Sequence, residues 1–179
     1  MKKIMFNDRY GLTKAVLEGR KTMTRRIVKH PEEVLMNWHG YLQTEKFRYQ
    51  VGEVVAVAQA YKDVPLYPCD PYMDTPGWIN KMFVRADLMP HQICITGVRV
   101  ERLQDISDQE CVREGITTMT EGRYRVGNGY GWDTTINALE RDTFFTPREA
   151  FAALIDKVSG KGTWASNPWV FVYVFELIK

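Results

Sequence analysis

Residues Trp169 to Ile178 (WVFVYVFELI) are apolar at odd and even positions alike. Successive strand residues face opposite sides, so such a run predicts a strand covered on both faces, in the middle of a sheet. Residues 92–103 (QICITGVRVERL) carry the other clear strand signal. There Val98 and Val100 alternate with Arg99 and Glu101, the pattern of a sheet with one solvated face, and Gly97 marks a bulge. Residues 3–6 (KIMF) predict a short opening strand, 47–61 a strand-like stretch with a turn at Gly52, and 82–86 (MFVRA) a further short strand. Three helices are predicted. One covers residues 8–18, with Asp8 as cap, Leu12, Ala15 and Val16 at helical spacing, and Gly19 as a left-handed stop. Another opens on the capping box Ser107/Glu110 and runs through Cys111, Val112 and Glu114 to Gly115. The last opens on Thr146-Pro147-Arg148-Glu149, buries Phe151, Leu154, Ile155 and Val158, and stops at Gly160. Residues 31–45, 62–77 and 117–145 lack a period and read as loops. Strands and helices do not alternate regularly, which argues against a doubly wound parallel sheet. The order predicts an α+β fold: a small, partly closed barrel of mixed strands with flanking helices.

Composition changes this picture little. The 179 residues are 45% apolar and 26% charged, as in ordinary globular proteins, and the net charge of +2 indicates no partner class. Three cysteines (Cys69, Cys94, Cys111) form no CxxC, and three histidines (His30, His39, His91) show no metal-ligand spacing. Neither a metal site nor a cofactor is expected. The longest apolar stretch falls short of the roughly 20 residues that cross a bilayer, so no membrane partner is expected. The segment MKKIMFNDRY has lysines but no apolar core of a signal peptide. The expectation is a soluble, cytoplasmic protein.

Local charge is more informative. Arg20, Lys21, Arg25, Arg26 and Lys29 lie between Gly19 and His30 with no acid among them. Such a cluster suits phosphates, and it equally suits a strand edge defended by charge. Neighbouring cations depress the pKa of a lysine, and a neutral Lys21 could take the proton of a threonine hydroxyl such as Thr24. In a regular strand the two side chains would point to opposite faces, so this chemistry needs a turn or bulge between them.

The run Gly19-Arg20-Lys21-Thr22-Met23-Thr24-Arg25-Arg26 resembles the GRKTxTxR signature of the ASCH domain family, which shares the PUA-like fold. Other segments agree in order: Tyr49-Gln50-Val51-Gly52-Glu53, Val98 to Ile106, Glu114-Gly115-Ile116, and Thr163-Trp164 with Asn167-Pro168-Trp169-Val170, the last resembling the closing segment of phage-type members. The resemblance implies one domain over 1–179, a PUA-like partly closed mixed β-barrel with insertions near 31–45, 62–88 and 117–145. It also implies a cleft between the basic segment and the helix ending near Glu114, with RNA or a modified nucleoside as partner. A small bacterial member deacylates N4-acetylcytidine, and its lysine, threonine and glutamate fall on Lys21, Thr24 and Glu114. In those roles Thr24 attacks the amide carbonyl, Lys21 takes its proton, and Glu114 serves the leaving amine. Arg26 orients substrate or stabilises the oxyanion. The alternatives are a non-catalytic RNA-binding module, with Arg20, Arg25 and Arg26 on phosphates, and a ribonuclease using the same cations.

Two segments depart from the family pattern. Ala58-Gln59-Ala60-Tyr61 stands where many relatives have Arg-Glu-Thr-Trp, and Met89-Pro90-His91-Gln92 where they often have Met-Pro-Arg-Trp. Tyr61, Tyr67, Tyr72, Trp78, Tyr124, Tyr130 and Trp132 lie in or beside the loops. Such aromatics either stack bases or make a satellite core.

Overall fold

The computed structural model describes residues 1–31, 47–64, 72–127 and 143–178. Its main sheet has five strands: β1 (Lys3–Ile4), β2 (Met23–Ile27), β3 (Val54–Val57), β4 (Gln92–Arg102) and β8 (Trp169–Ile178), in the order β1-β3-β4-β8-β2. β8 lies between β4 and β2, antiparallel to both, as its two apolar faces predict. Its register with β4 shifts between Ile95 and Gly97, so the bulge falls at the predicted glycine. β1 runs parallel to β3 over two residue pairs, Lys3 with Ala56 and Ile4 with Val57. The sheet is therefore mixed.

The PUA-like, partly closed barrel is overturned. β1 and β2 are the two edges of an open sheet, and no pairing joins them. Closure needs edge strands long enough to share a staggered ladder, and β1 has two residues. The Arg26 guanidinium instead reaches the Met5 carbonyl at 2.7 Å, so a side chain spans the place where a ladder would run. What stands is an α+β fold with mixed strands and flanking helices.

Helix α1 (Leu12–Leu17) is shorter than predicted. Its N-cap is Gly11, and Asp8 accepts hydrogen bonds from Thr13 Oγ1 and Lys81 Nζ instead of capping. Helix α2 (Asp108–Arg113) and helix α3 (Pro147–Ser159) each carry the predicted capping box, formed in both directions. A short α4 (Thr163–Ser166) precedes β8. The stretch 117–145 is not all loop. β5 (Ile116–Thr118), β6 (Tyr124–Val126) and β7 (Thr143–Phe144) form a second, antiparallel sheet. Residues 82–86 form no strand; short 3₁₀ turns occupy Lys81–Phe83 and Ala86–Leu88. The loop predicted at 31–45 lies outside the described residues apart from Pro31.

One core joins the sheet to the helices. Ile4, Val16, Met23, Val55, Ile95, Phe151, Val172 and Phe175 are all buried in it. A smaller cluster forms around Tyr61, Val64, Val84 and Met89, with Tyr72 and Trp78 packed against it. Among the described residues no helix is long and apolar enough to cross a membrane.

Candidate functional site

The basic segment is pinned from three sides. Gly19 ends α1 in the left-handed region (φ 71°), and the Arg20 and Lys21 amides both donate to the Ala15 carbonyl at 2.9 Å. The Thr22 amide donates to the Arg113 carbonyl at the end of α2, and the Thr22 carbonyl accepts from Phe175 of β8. Lys21 thus precedes β2 by two residues and lies outside its pleat, so its side chain does not follow the alternation that sets Thr24's.

Glu114 meets Lys21 from the other side. It caps the C-terminus of α2, where its own amide still donates to the Glu110 and Cys111 carbonyls. Lys21 Nζ donates to Glu114 Oε2 at 2.6 Å, to the Glu114 carbonyl at 2.7 Å and to the Met23 carbonyl at 2.7 Å. All three ammonium protons are used, and both side chains are almost fully buried. Burial pushes the Lys21 pKa below the ordinary lysine range, with Glu114 opposing it and Arg26 and Arg25 adding to it. Gly115 makes this approach possible. Its φ of 104° is one that side chains other than glycine rarely adopt, and a Cβ there would lie 3.1 Å from Leu12 and 3.6 Å from the Lys21 stem. Gly115→Ala is expected to destabilise the fold by about 1–3 kcal/mol, read as a lower urea midpoint at unchanged slope. A loss below about 0.5 kcal/mol would contradict this account.

Arg25 is the hub of the remaining charges. Its side chain is 1% exposed and faces three carboxylates: Glu101 at 2.6 Å, Glu110 at 2.9 Å and Glu114 at 3.1 Å. Arg99, at the outer rim, bonds both Glu101 and Glu110. Lys21, Arg25 and Arg99 therefore balance Glu101, Glu110 and Glu114. Burial raises the Glu110 pKa, but the Ser107 amide, Arg25 and Arg99 outweigh it and hold the carboxyl below its ordinary range. Sequence reasoning missed this cluster. Glu101 reads as a solvated position of an alternating strand and Glu110 as a helix cap; Glu110 does both jobs, accepting from the Ser107 amide and from Arg25.

A cavity of about 510 Å³ opens on these groups. Its polar lining includes Lys21, Thr24, Arg25, Arg26 and Glu114, and α3 supplies an apolar wall from Phe151, Leu154, Ile155 and Val158. The volume is within the range of small-molecule sites. Thr24 is 5% exposed, and its hydroxyl has no hydrogen-bond partner among the described residues. Arg26 forms no ion pair among the described residues; its one hydrogen bond there is to the Met5 carbonyl. Arg20 is placed elsewhere, bonded to Glu18 on the surface beyond α1. Phe151, Leu154 and Ile155 are buried as the helical spacing predicts, whereas Val158, expected to be buried with them, is 39% exposed at the cavity's edge; nothing in the spacing tied this wall to Lys21.

The two departures from the family pattern meet each other rather than the cavity: His91 Nδ1 and Gln59 Oε1 are 2.7 Å apart, and neither residue lines the cavity. Of the loop aromatics, Tyr61, Tyr72 and Trp78 belong to the satellite cluster and Tyr124 packs on the main core, while Tyr67, Tyr130 and Trp132 lie outside the described residues. Among the described residues no group of three or more His, Cys, Asp or Glu could hold a metal ion.

Fold and site together define an α+β protein with a balanced ionic cluster set against a cavity of about 510 Å³. No family model matches the sequence, and no curated protein does. Among solved structures the chain is similar to the ASCH domain from Lactobacillus crispatus JV V101, at 14% identity and a TM-score of 0.37, over 93% of this chain and 69% of that one.

Proposed function

We propose that the cavity hydrolyses the amide of an N-acylated cytidine, with Thr24 as nucleophile, Lys21 as its base and Glu114 as the group that serves the leaving amine. The observation that carries this reading is the Thr24 hydroxyl: buried, without a hydrogen-bond partner among the described residues, and lining the same cavity as the Lys21–Glu114 pair. A hydroxyl left unpaired at such a position costs stability, and a reacting atom is a reason to keep it.

Loss of one Lys21 Nζ proton to solvent frees a nitrogen lone pair, and the 2.6 Å contact leaves Glu114 Oε2 placed to receive the proton that Lys21 takes up next. Burial favours that neutral state. Lys21 then takes the Thr24 proton as the oxygen attacks the acyl carbon, and Arg26 faces the developing oxyanion. The tetrahedral adduct breaks its C–N bond, the amine leaves with the former Thr24 proton, passed from Lys21 through Glu114, and water hydrolyses the resulting threonine ester. The cations that an RNA-binding or ribonuclease reading would use are largely engaged: Arg25 by three carboxylates and Arg20 by Glu18.

The test is release of cytidine from N4-acetylcytidine. Turnover is expected to rise with pH up to a pKa below the ordinary lysine value, since the base is neutral Lys21. It is also expected to change little between low and high salt, because few phosphate contacts are involved. Absence of turnover at every pH would reject this substrate class. Steep salt dependence of binding to short RNA would favour the RNA-binding reading instead.

A further inference from the structure

Glu114 is held at both oxygens. Oε2 accepts from Lys21 at 2.6 Å and Oε1 from Arg25 at 3.1 Å. Arg25 in turn spends its other donors on Glu101 and Glu110, so its charge is shared among three acids. We propose that Arg25 is a positioning residue: it fixes which Glu114 oxygen meets Lys21, and through Glu101 and Glu110 it sets how much charge the Lys21–Glu114 pair carries. The proposal rests on the hydrolase reading for its consequence in catalysis, but not for its electrostatics.

Three observations support it. The Arg25 side chain is 1% exposed, so solvent does not screen it from Lys21 or Glu114. Its position is set by β2: the side chain lies beside Met23 two residues earlier on the same face, with Nη1 3.3 Å from the Met23 sulfur. Its countercharges come from two other elements, Glu101 on β4 and Glu110 and Glu114 on α2. The other groups facing the pair are Arg26 on β2, which adds positive charge at Lys21, and Cys111 on α2, whose thiol is pushed up to about 12 by burial and stays neutral. Arg99 closes the cluster from the rim, bonded to Glu101 and Glu110.

A charge role and a packing role predict different results. Arg25→Met removes a cation beside Lys21, which favours the ammonium and moves its titration to higher pH. Glu101→Gln is nearly isosteric and removes an anion from Arg25, which moves the Lys21 titration to lower pH. Shifts of about one pH unit in opposite directions are expected, read from the Lys21 side-chain NMR resonance and from the acid limb of the hydrolysis profile. Arg25→Lys keeps a cation and is expected to leave the limb near its wild-type position. If both variants titrate where wild type does, or shift in the same direction, the proposal is wrong. Should Arg25→Met fail to fold, Glu101→Gln alone decides by the sign of its shift. If no N-acylcytidine is hydrolysed yet the Lys21 resonance moves as stated, the hydrolase reading falls and the role of Arg25 stands.

Discussion

Replacing Thr24 by alanine is expected to lower kcat for N4-acetylcytidine on the order of 10⁴-fold while leaving the fold intact, because in the proposed mechanism it removes the attacking atom. The two effects separate for a structural reason. The Thr24 hydroxyl has no hydrogen bond to lose among the described residues, so alanine removes one methyl group and one unsatisfied polar atom. The stability change is expected to stay within about 1 kcal/mol, since methyl loss and relief of the orphaned hydroxyl oppose each other. Thr24→Ser keeps the nucleophile and is expected to retain most of the rate. The check is a pair of measurements on each variant, the unfolding midpoint and kcat. An alanine variant that is stable and turns over within tenfold of wild type would remove Thr24 from the mechanism. The same comparison on Lys21 would be less clean, because any substitution there strands Glu114 beside Arg25.

How much of this was legible in the sequence varies by element. The long strands were, because β8 is apolar on both faces and is paired on both edges, while β4 alternates and bulges at Gly97. Both capping boxes were legible because they are local: the cap and the residue three positions on satisfy each other without tertiary help. Short elements that depend on partners were not. β5, β6 and β7 have two or three residues each, too few for a period, and exist by pairing with one another and packing under α3. The open sheet was missed for a related reason, since nothing in KIMF shows that only Lys3 and Ile4 pair with β3. In the site, Lys21, Thr24 and Glu114 were named from a motif, and the structure places them on one cavity. Arg25 was read as a phosphate ligand because a basic run shows its charges but not its acids. Glu101, Glu110 and Glu114 lie 76, 85 and 89 residues away and arrive only with β4 and α2.

The same long-range assembly makes Glu114 a sensitive position for stability. Glu114→Ala removes the partner of a Lys21 side chain that is 2% exposed and one of the three partners of Arg25. Breaking a buried ion pair on one side costs about 3–5 kcal/mol, because the remaining charge stays buried without compensation. Against a total stability of about 5–15 kcal/mol that is a large share. The burden falls mainly on Lys21, since Arg25 keeps Glu101 and Glu110 while Lys21 keeps only two backbone carbonyls. Removing Lys21 as well should therefore repair most of the damage. The double variant Lys21→Met, Glu114→Ala is expected to be more stable than Glu114→Ala alone by about 2 kcal/mol or more. pH gives an independent check. The folded state binds the Lys21 proton less tightly than the unfolded chain does, so stability rises as pH climbs from the folded pKa toward the ordinary lysine value. Without Glu114 that difference widens, and the deficit of Glu114→Ala is expected to shrink from neutral to alkaline pH. Urea unfolding of wild type, single and double variants across that range measures all three effects. A single variant that loses less than about 1 kcal/mol, or a deficit that grows with pH, would show that Lys21 is not carrying a buried charge in the folded protein.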